Sequence, residues 1–176
     1  MSFQLLACQT VRLLACRAPT APVPDSNLSR VSLAFVLEHA GFRNALVLTK
    51  TVPLSPFDTE ILTRDWLVES GVVAVKEAVR DLLVSSRKRL PIDTAVIRAL
   101  GAKPIARSPG ADSFVGPRGP TLIYISAPGY SSDSSFAVVY WGYNCGALCA
   151  GADLAIFRRD SLGKWKGIRS EGLWVS

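Results

Sequence analysis

Two cysteines near the carboxyl end carry the most reactive side chains of this 176-residue sequence. Cys145 and Cys149 lie four positions apart in residues 144–151, Asn-Cys-Gly-Ala-Leu-Cys-Ala-Gly, and glycines of this kind allow a tight hairpin turn. A disulfide is sterically possible if the two cysteines occupy facing positions of that hairpin. In an oxidising compartment so small a closed loop would stabilise the fold by about 2 kcal/mol, whereas in the cytosol both thiols would stay reduced.

Thiol chemistry is the alternative use of the same cysteines. A nucleophilic cysteine needs a base within hydrogen-bond reach, and the single histidine, His39, stands far away in the sequence. A zinc site needs four ligands, of which only His39 and the distant Cys8 and Cys16 remain as soft candidates. We therefore expect no metal and no cofactor. A thiol-dependent enzyme or redox protein that uses Cys145 and Cys149 with His39 stays as the second hypothesis.

Cys16 fits a lipidation signal. The residues Leu13-Leu-Ala-Cys16 match the lipobox pattern, in which small and apolar residues precede a cysteine that becomes lipidated, and the Leu-Leu-Ala before Cys8 matches it too. The proline-rich residues 17–25 would then follow as a semi-rigid spacer. This order is typical of a protein that a lipid anchor holds at a membrane.

Residues 1–25 depart from a secretory signal in two respects. No Lys or Arg precedes Phe3, and Arg12 interrupts the apolar run that such a signal requires. Either the start of the protein lies upstream of Met1 and residues 1–25 are a signal or tether, or the match is chance and they are a disordered tail. The first case places the protein in the cell envelope or outside the cell, and a genuine start at Met1 places it in the cytoplasm.

Residues 136–176 are predicted to form a three-strand antiparallel meander. Residues 136–143 are rich in aromatic and β-branched side chains, which is typical of a half-buried strand. Apolar alternation resumes at residues 154–157, and Trp165 stands between basic residues at period two after a charged turn that contains Gly163.

Three aromatic residues of the first strand, Tyr140, Trp141 and Tyr143, could form a binding surface. They could also belong to the core, because half of a strand's side chains face inward. The sequence leaves both interpretations open.

The carboxyl end resembles that of a group of uncharacterised bacterial proteins, which often carry secretion or lipoprotein signals. The resemblance rests on residues 140–151, on Gly-Lys-Trp-Lys at 163–166 and on the terminal Leu-Trp-Val-Ser at 173–176, about a quarter of the chain. It implies the fold of this end and a location in the cell envelope. It implies no catalytic residue.

The rest of the chain predicts helices first and strands later. Apolar side chains at helical spacing, helix-capping residues and breaks at glycine or proline indicate four helices, two strands and a loop. The helices cover residues 28–40, 59–69 and 72–87 and a short segment between Asp93 and Gly101, the strands cover 44–52 and 121–126, and the loop covers 101–119. We therefore predict one α+β domain, residues 26–176, with its N-terminal helices packed on one face of an antiparallel sheet.

The charge distribution bears on the kind of partner. The net charge is +6 and the pI about 9.4, but the basic residues are scattered, which does not favour a nucleic-acid partner. We predict a non-catalytic bacterial envelope domain, secreted or lipid-anchored, with an interaction or structural role. The sequence does not identify a protein or ligand partner. The one partner it suggests is a membrane, which a lipid on Cys16 would bind.

Overall fold

The computed structural model describes residues 26–41, 44–66, 72–108, 120–146 and 148–176, without the side chains of Ser26 and Asp65. The lipidation hypothesis at Cys16 lies outside the described residues, as does the tether hypothesis for 1–25. The described elements are helices α1 (Ser26–Ala40), α2 (Pro56–Ile61, continued by a π-helical turn at Leu62–Trp66), α3 (Val73–Ser85) and α4 (Thr94–Ala99), and strands β1 (Leu46–Leu48), β2 (Lys103–Ile105), β3 (Leu122–Ile125), β4 (Gly129–Tyr130), β5 (Phe136–Gly146), β6 (Cys149–Arg159) and β7 (Trp165–Val175).

The strands form one mixed sheet in the order β2-β1-β3-β5-β6-β7, with β4 added beside β5. The α+β class and the adjacent C-terminal strands β5, β6 and β7 are confirmed. The prediction of a purely antiparallel sheet is wrong, because β1 pairs in parallel with both β2 and β3. These strands are far apart in the chain, and no local sequence pattern indicates whether two such strands pair in parallel or antiparallel.

The helices cover both faces of the sheet, and not one face as predicted. Along β5, Val139 and Trp141 pack in the same core as α1 and α4, whereas Val138 and Tyr140 pack in the core of α3. Neighbouring residues of a strand point to opposite faces, so the two cores lie on opposite sides of β5. A strand buried on both faces has a nearly continuous apolar run, and β5 has one from position 137 to 141.

Helix α3 follows its predicted pattern closely. The predicted apolar stripe has five members: Val75, Val79 and Leu82 are buried against the sheet, Leu83 is partly buried, and Val72 precedes the helix as its N-cap and is 48% exposed. Helix α2 begins earlier than predicted because Ser55 caps it, with Asp58 completing the capping box from the third helical position. The predicted loop at 101–119 contains strand β2, while its residues 109–119 lie outside the described part.

Candidate functional site

The predicted cysteine turn is a hairpin between β5 and β6. Asn144 pairs with Ala150 and Gly146 with Cys149, and the Asn144 side chain accepts a hydrogen bond of 3.0 Å from the Gly146 N–H. The sulfur atoms of Cys145 and Cys149 lie at disulfide distance, with Cα atoms 5.1 Å apart. That separation falls within the range that a disulfide spans without movement of the backbone.

The histidine of the thiol hypothesis lies elsewhere. The ring of His39 stacks on Phe35 at 5.7 Å and meets the edge of Trp141 at 6.4 Å, centroid to centroid. Trp141 and Cys145 are four residues apart on β5, which is about 13 Å along a strand. Within the part of the chain that the structure describes, His39 donates no hydrogen bond to either sulfur. The arrangement therefore lacks the nucleophile and base contact that thiol catalysis requires.

The predicted aromatic surface is divided between the two cores. Tyr140 faces α3 and Trp141 faces α1, and each is only 2% exposed. The binding-surface hypothesis is therefore wrong for these two residues, because consecutive strand residues point in opposite directions. Tyr143 is half-buried on the face of Trp141, with ring centroids 6.1 Å apart, and is the member of the three that reaches solvent.

An acidic residue, Asp153 of β6, lies on the α1 face of the meander. Asp153 pairs with Trp141 of β5 on one side and with Gly172 of β7 on the other. The side chain is half-buried, and His39 acts on its carboxylate through its charge. We call Asp153 and its neighbours Trp141, Tyr143, Gly172 and His39 the Asp153 cluster.

Two glycines lie beside the Asp153 cluster. Gly172 is exposed, and a Cβ atom there would make an ordinary contact of 3.6 Å with Asp153 Oδ1. The ring of Tyr143 covers Gly151, where a Cβ atom would lie 2.6 Å from the phenolic oxygen. A side chain at 151 would displace the Tyr143 ring.

The surroundings of Asp153 disfavour its ionised form. Burial raises the pKa of Asp153 above its ordinary 3.8, and the nearby charge of His39 partly offsets that rise. Trp141, the cross-strand neighbour of Asp153, donates its indole N–H to Ser170 Oγ at 3.0 Å, which fixes the orientation of the ring.

Sequence reasoning missed Asp153 and Ser170. A signal for Asp153 was present, because it is the one charged residue between Cys149 and Phe157 and falls in phase with the buried Ala155 and Phe157. An acid at an inward-facing position of a strand is unusual and indicates a specific role. The role of Ser170 depends on a contact across the sheet, which no local pattern shows.

A second buried carboxylate, Asp58, serves the fold. Its oxygens accept hydrogen bonds from Trp174 Nε1 at 2.8 Å and from the Ser55 N–H at 3.2 Å. Burial raises the pKa of Tyr140 above its ordinary range, and the neighbouring Tyr124 hydroxyl and Asp58 carboxylate add to the rise. Because both oxygens of Asp58 are engaged by the protein, this cluster offers no open position for a ligand.

A cavity of about 110 Å³ lies beneath the first turns of α1. Three of its four polar side chains are paired with the backbone: Ser32 donates to Leu28 O, Thr51 donates to Lys88 O and Ser126 accepts from the Tyr140 N–H. The fourth, Ser29, is partly buried.

Across the described ranges, no group of three or more histidine, cysteine or acidic side chains is placed to hold a metal ion. Likewise, none of the described helices is both long and apolar enough to span a membrane.

Comparison of the chain with protein-family models, with curated proteins and with solved structures gives no match in any of the three. The resemblance to uncharacterised bacterial proteins therefore stays a prediction.

Proposed function

We propose that the chain is a non-catalytic domain of the bacterial cell envelope, secreted or held at the membrane by a lipid on Cys16, which acts by binding a partner. The observation that carries the proposal is the placement of Cys145 and Cys149 at disulfide distance across the β5–β6 hairpin. Cysteines paired in this way are typical of proteins that mature in an oxidising compartment. The lipobox pattern ending at Cys16 supports the same location.

The placement of His39 argues against the thiol-dependent alternative. A catalytic cysteine would be free, partly exposed and close to a base or another positive group. Here the two sulfurs lie beside each other, and the described contacts of His39 are to Phe35 and Trp141. A binding role uses the surface of the domain and requires no such contact.

Mass spectrometry of the intact protein tests the disulfide. The full chain is expressed in a bacterium, recovered from each cell fraction and alkylated with and without prior reduction. We expect Cys145 and Cys149 to resist alkylation until the protein is reduced, because the bonded sulfurs have no thiolate to react. Free and rapidly alkylated cysteines in an unprocessed cytoplasmic chain would overturn the proposal and favour the thiol hypothesis.

The anchor is tested separately by two matched variants. Cys16→Ser should abolish lipid labelling and release the protein from the membrane fraction, whereas Cys8→Ser, which changes the other lipobox match, should leave labelling intact. Labelling that survives Cys16→Ser would contradict an anchor at this residue. A secreted, unlabelled protein with an intact disulfide would retain the envelope location and remove the anchor.

A further inference from the structure

Basic side chains from three separate segments meet where the parallel strands β1 and β2 end. Lys50 and Arg107 each stand two positions beyond the last paired residues of these strands, Leu48 and Ile105. The Thr49 N–H donates to the Ile105 carbonyl at 2.9 Å, and this hydrogen bond holds the two strand ends side by side. Lys50 and Arg107 therefore leave the sheet at the same end and on neighbouring strands.

The segment that follows helix α3 lies against the end of β1. Residues 87–89, Arg-Lys-Arg, come just after that helix, and Lys50 forms an isolated β-bridge with Pro91. The Thr51 hydroxyl donates to the Lys88 carbonyl at 2.9 Å. These contacts join segments that are far apart in the sequence. We call the result the basic surface, and its members are Lys50, Arg87, Lys88, Arg89 and Arg107.

The basic surface is open to solvent. All of its side chains are exposed, and none of them forms an ion pair with another residue of the described ranges. The acid that follows in the chain, Asp93, accepts a hydrogen bond from the Ala95 N–H at 2.8 Å as the cap of helix α4. The negative end of α3 does not explain the arrangement, because the last turn of that helix contains no basic residue. Uncompensated like charges on one surface attract an anionic partner.

The chain enters the domain beside the basic surface. Leu28, in the first turn of α1, lines the cavity of about 110 Å³ together with Pro91, the bridge partner of Lys50. Residues 17–25 are all that separates Cys16 from this helix in the sequence. A lipid on Cys16 would therefore be attached to the part of the domain that carries the basic surface.

We propose that the basic surface binds the anionic headgroups of a membrane. The lipid on Cys16 tethers the domain, and the basic surface determines which side of the domain faces the bilayer. Lysine and arginine side chains close to an anionic lipid surface each add to the attraction, so several of them act together. The inference names a partner surface for the binding role and rests on the proposed envelope location.

Co-sedimentation with lipid vesicles tests the basic surface without the lipid anchor. The purified full chain with Cys16→Ser is mixed with vesicles of phosphatidylcholine alone or of a roughly 3:1 mixture of phosphatidylcholine and phosphatidylglycerol. We expect at least about tenfold tighter binding to the anionic vesicles at about 0.1 M salt, and loss of that preference at about 0.5 M, because salt screens exposed charges. Equal binding to the two kinds of vesicle at low salt would overturn the proposal.

Two double variants remove equal charge from different segments of the basic surface. Arg87→Gln with Arg89→Gln changes the turn after α3, and Lys50→Gln with Arg107→Gln changes the two strand ends. Each double variant should weaken binding to the anionic vesicles by about tenfold or more. Unaltered binding by a folded Lys50 and Arg107 variant would overturn the proposal, because the strand ends would then take no part in the contact.

The matched control removes two arginines from other surfaces. Arg64 and Arg169 are exposed, and each lies beside a glutamate of its own element. Arg64→Gln with Arg169→Gln lowers the net charge as much as the other double variants do, but should change vesicle binding by no more than about threefold. A loss as large as in those variants would overturn the proposal, since binding would then follow net charge alone.

A DNA duplex is the competing anionic partner. Tighter binding to a duplex of random sequence than to the anionic vesicles, at the same salt and the same concentration of negative charge, would overturn the membrane proposal and favour a nucleic-acid partner. The vesicle result does not depend on export or on the disulfide. Failure of vesicle binding would leave the disulfide and anchor results standing, and failure of those results would leave the basic surface to be judged by the vesicles alone.

Discussion

Trp174 donates its indole N–H to the Asp58 carboxylate at 2.8 Å, and this hydrogen bond joins residues that lie 116 positions apart. Asp58 is 4% exposed and also completes the capping box of helix α2. The end of the last strand is thereby attached to the helix that covers the sheet. A buried carboxylate that loses a donor keeps the cost of its desolvation, so this bond has a measurable consequence for stability.

Trp174→Phe should lower the free energy of unfolding by about 1–3 kcal/mol, because Asp58 loses a hydrogen bond while remaining buried. Chemical denaturation gives the value. Phe57→Leu is the matched control, since Phe57 meets the Trp174 ring at 6.3 Å but is itself exposed. If Trp174→Phe costs no more than Phe57→Leu, the hydrogen bond does not matter and the ring contact accounts for the effect.

Gly129→Ala should be destabilising by about 1–3 kcal/mol, because β4 lies directly against the backbone of α3. A Cβ atom at 129 would clash with the backbone of Ala78 and would lie 2.6 Å from Leu82 Cα, and backbone atoms have little freedom to move away. Gly172→Ala is the control, since its Cβ would make an ordinary contact of 3.6 Å with Asp153. Equal stability of the two variants in denaturation would contradict the close packing of β4 on α3.

Asp133 should titrate in the folded protein with a pKa of about 2, lowered by hydrogen bonds from the Ser131 hydroxyl and from the N–H and hydroxyl groups of Ser135. A lowered carboxyl pKa contributes stability that is present above the ordinary value of 3.8 and is lost as the pH falls from there towards 2. NMR titration of the carboxyl carbons measures the pKa directly.

Two serine variants give a crossed control for that titration. Ser131→Ala should raise the pKa of Asp133 towards 3.8 and move that of Glu77 much less, because Asp133 acts on Glu77 only through its charge. Ser132→Ala should do the reverse, because hydrogen bonds from Ser132 are the main cause of the lowered pKa of Glu77. Comparable shifts of both carboxyls in either variant would show that the whole turn rearranges and would contradict the assignment of individual hydrogen bonds.

Asp153→Asn should stabilise the protein at neutral pH. Burial raises the pKa of Asp153, so the folded state binds its proton more tightly than the unfolded state does. The contribution of this group to stability therefore grows as the pH falls through the folded pKa towards 3.8, and the advantage of Asn should shrink over the same interval. Thermal unfolding across this pH range checks the sign, and a destabilised Asn variant at neutral pH would contradict it.

His39→Gln tests the electrostatic part of that environment. The charge of His39 lowers the pKa of Asp153, so its removal should raise that pKa further in an NMR titration. Glu38→Gln, one position earlier and exposed, measures the general effect of a charge change at the end of α1. No shift of the Asp153 titration in His39→Gln would contradict the coupling between these two groups.

Local patterns in the sequence were sufficient for the long elements. The apolar stripe of α3, which contains Val75, Val79 and Leu82, repeats at helical spacing within one short segment, and the structure buries all three. The C-terminal meander is likewise formed by neighbours in the chain joined by turns, so its antiparallel pairing follows from the sequence. The spacing of Cys145 and Cys149 was enough to predict that they could meet across a hairpin.

Two features of the sheet depend on contacts between distant segments. Strands β2 and β4 contain three and two residues, too few for a period to be recognised, and they exist because longer strands offer hydrogen-bonding edges. The parallel pairing of β1 with β2 and β3 is likewise a relation between separated segments.

The Asp153 cluster depends on the whole fold in the same way. Its other members come from β5 (Trp141), β7 (Gly172) and α1 (His39), and Asp153 is partly buried only when these elements have packed together. Hydrophobic period and turn residues therefore determine which local elements form. Long-range packing determines which face of the sheet each helix covers and which side chains come into contact. The reason is that the solvent exposure and the electrostatic environment of a side chain are set only when the whole chain has folded.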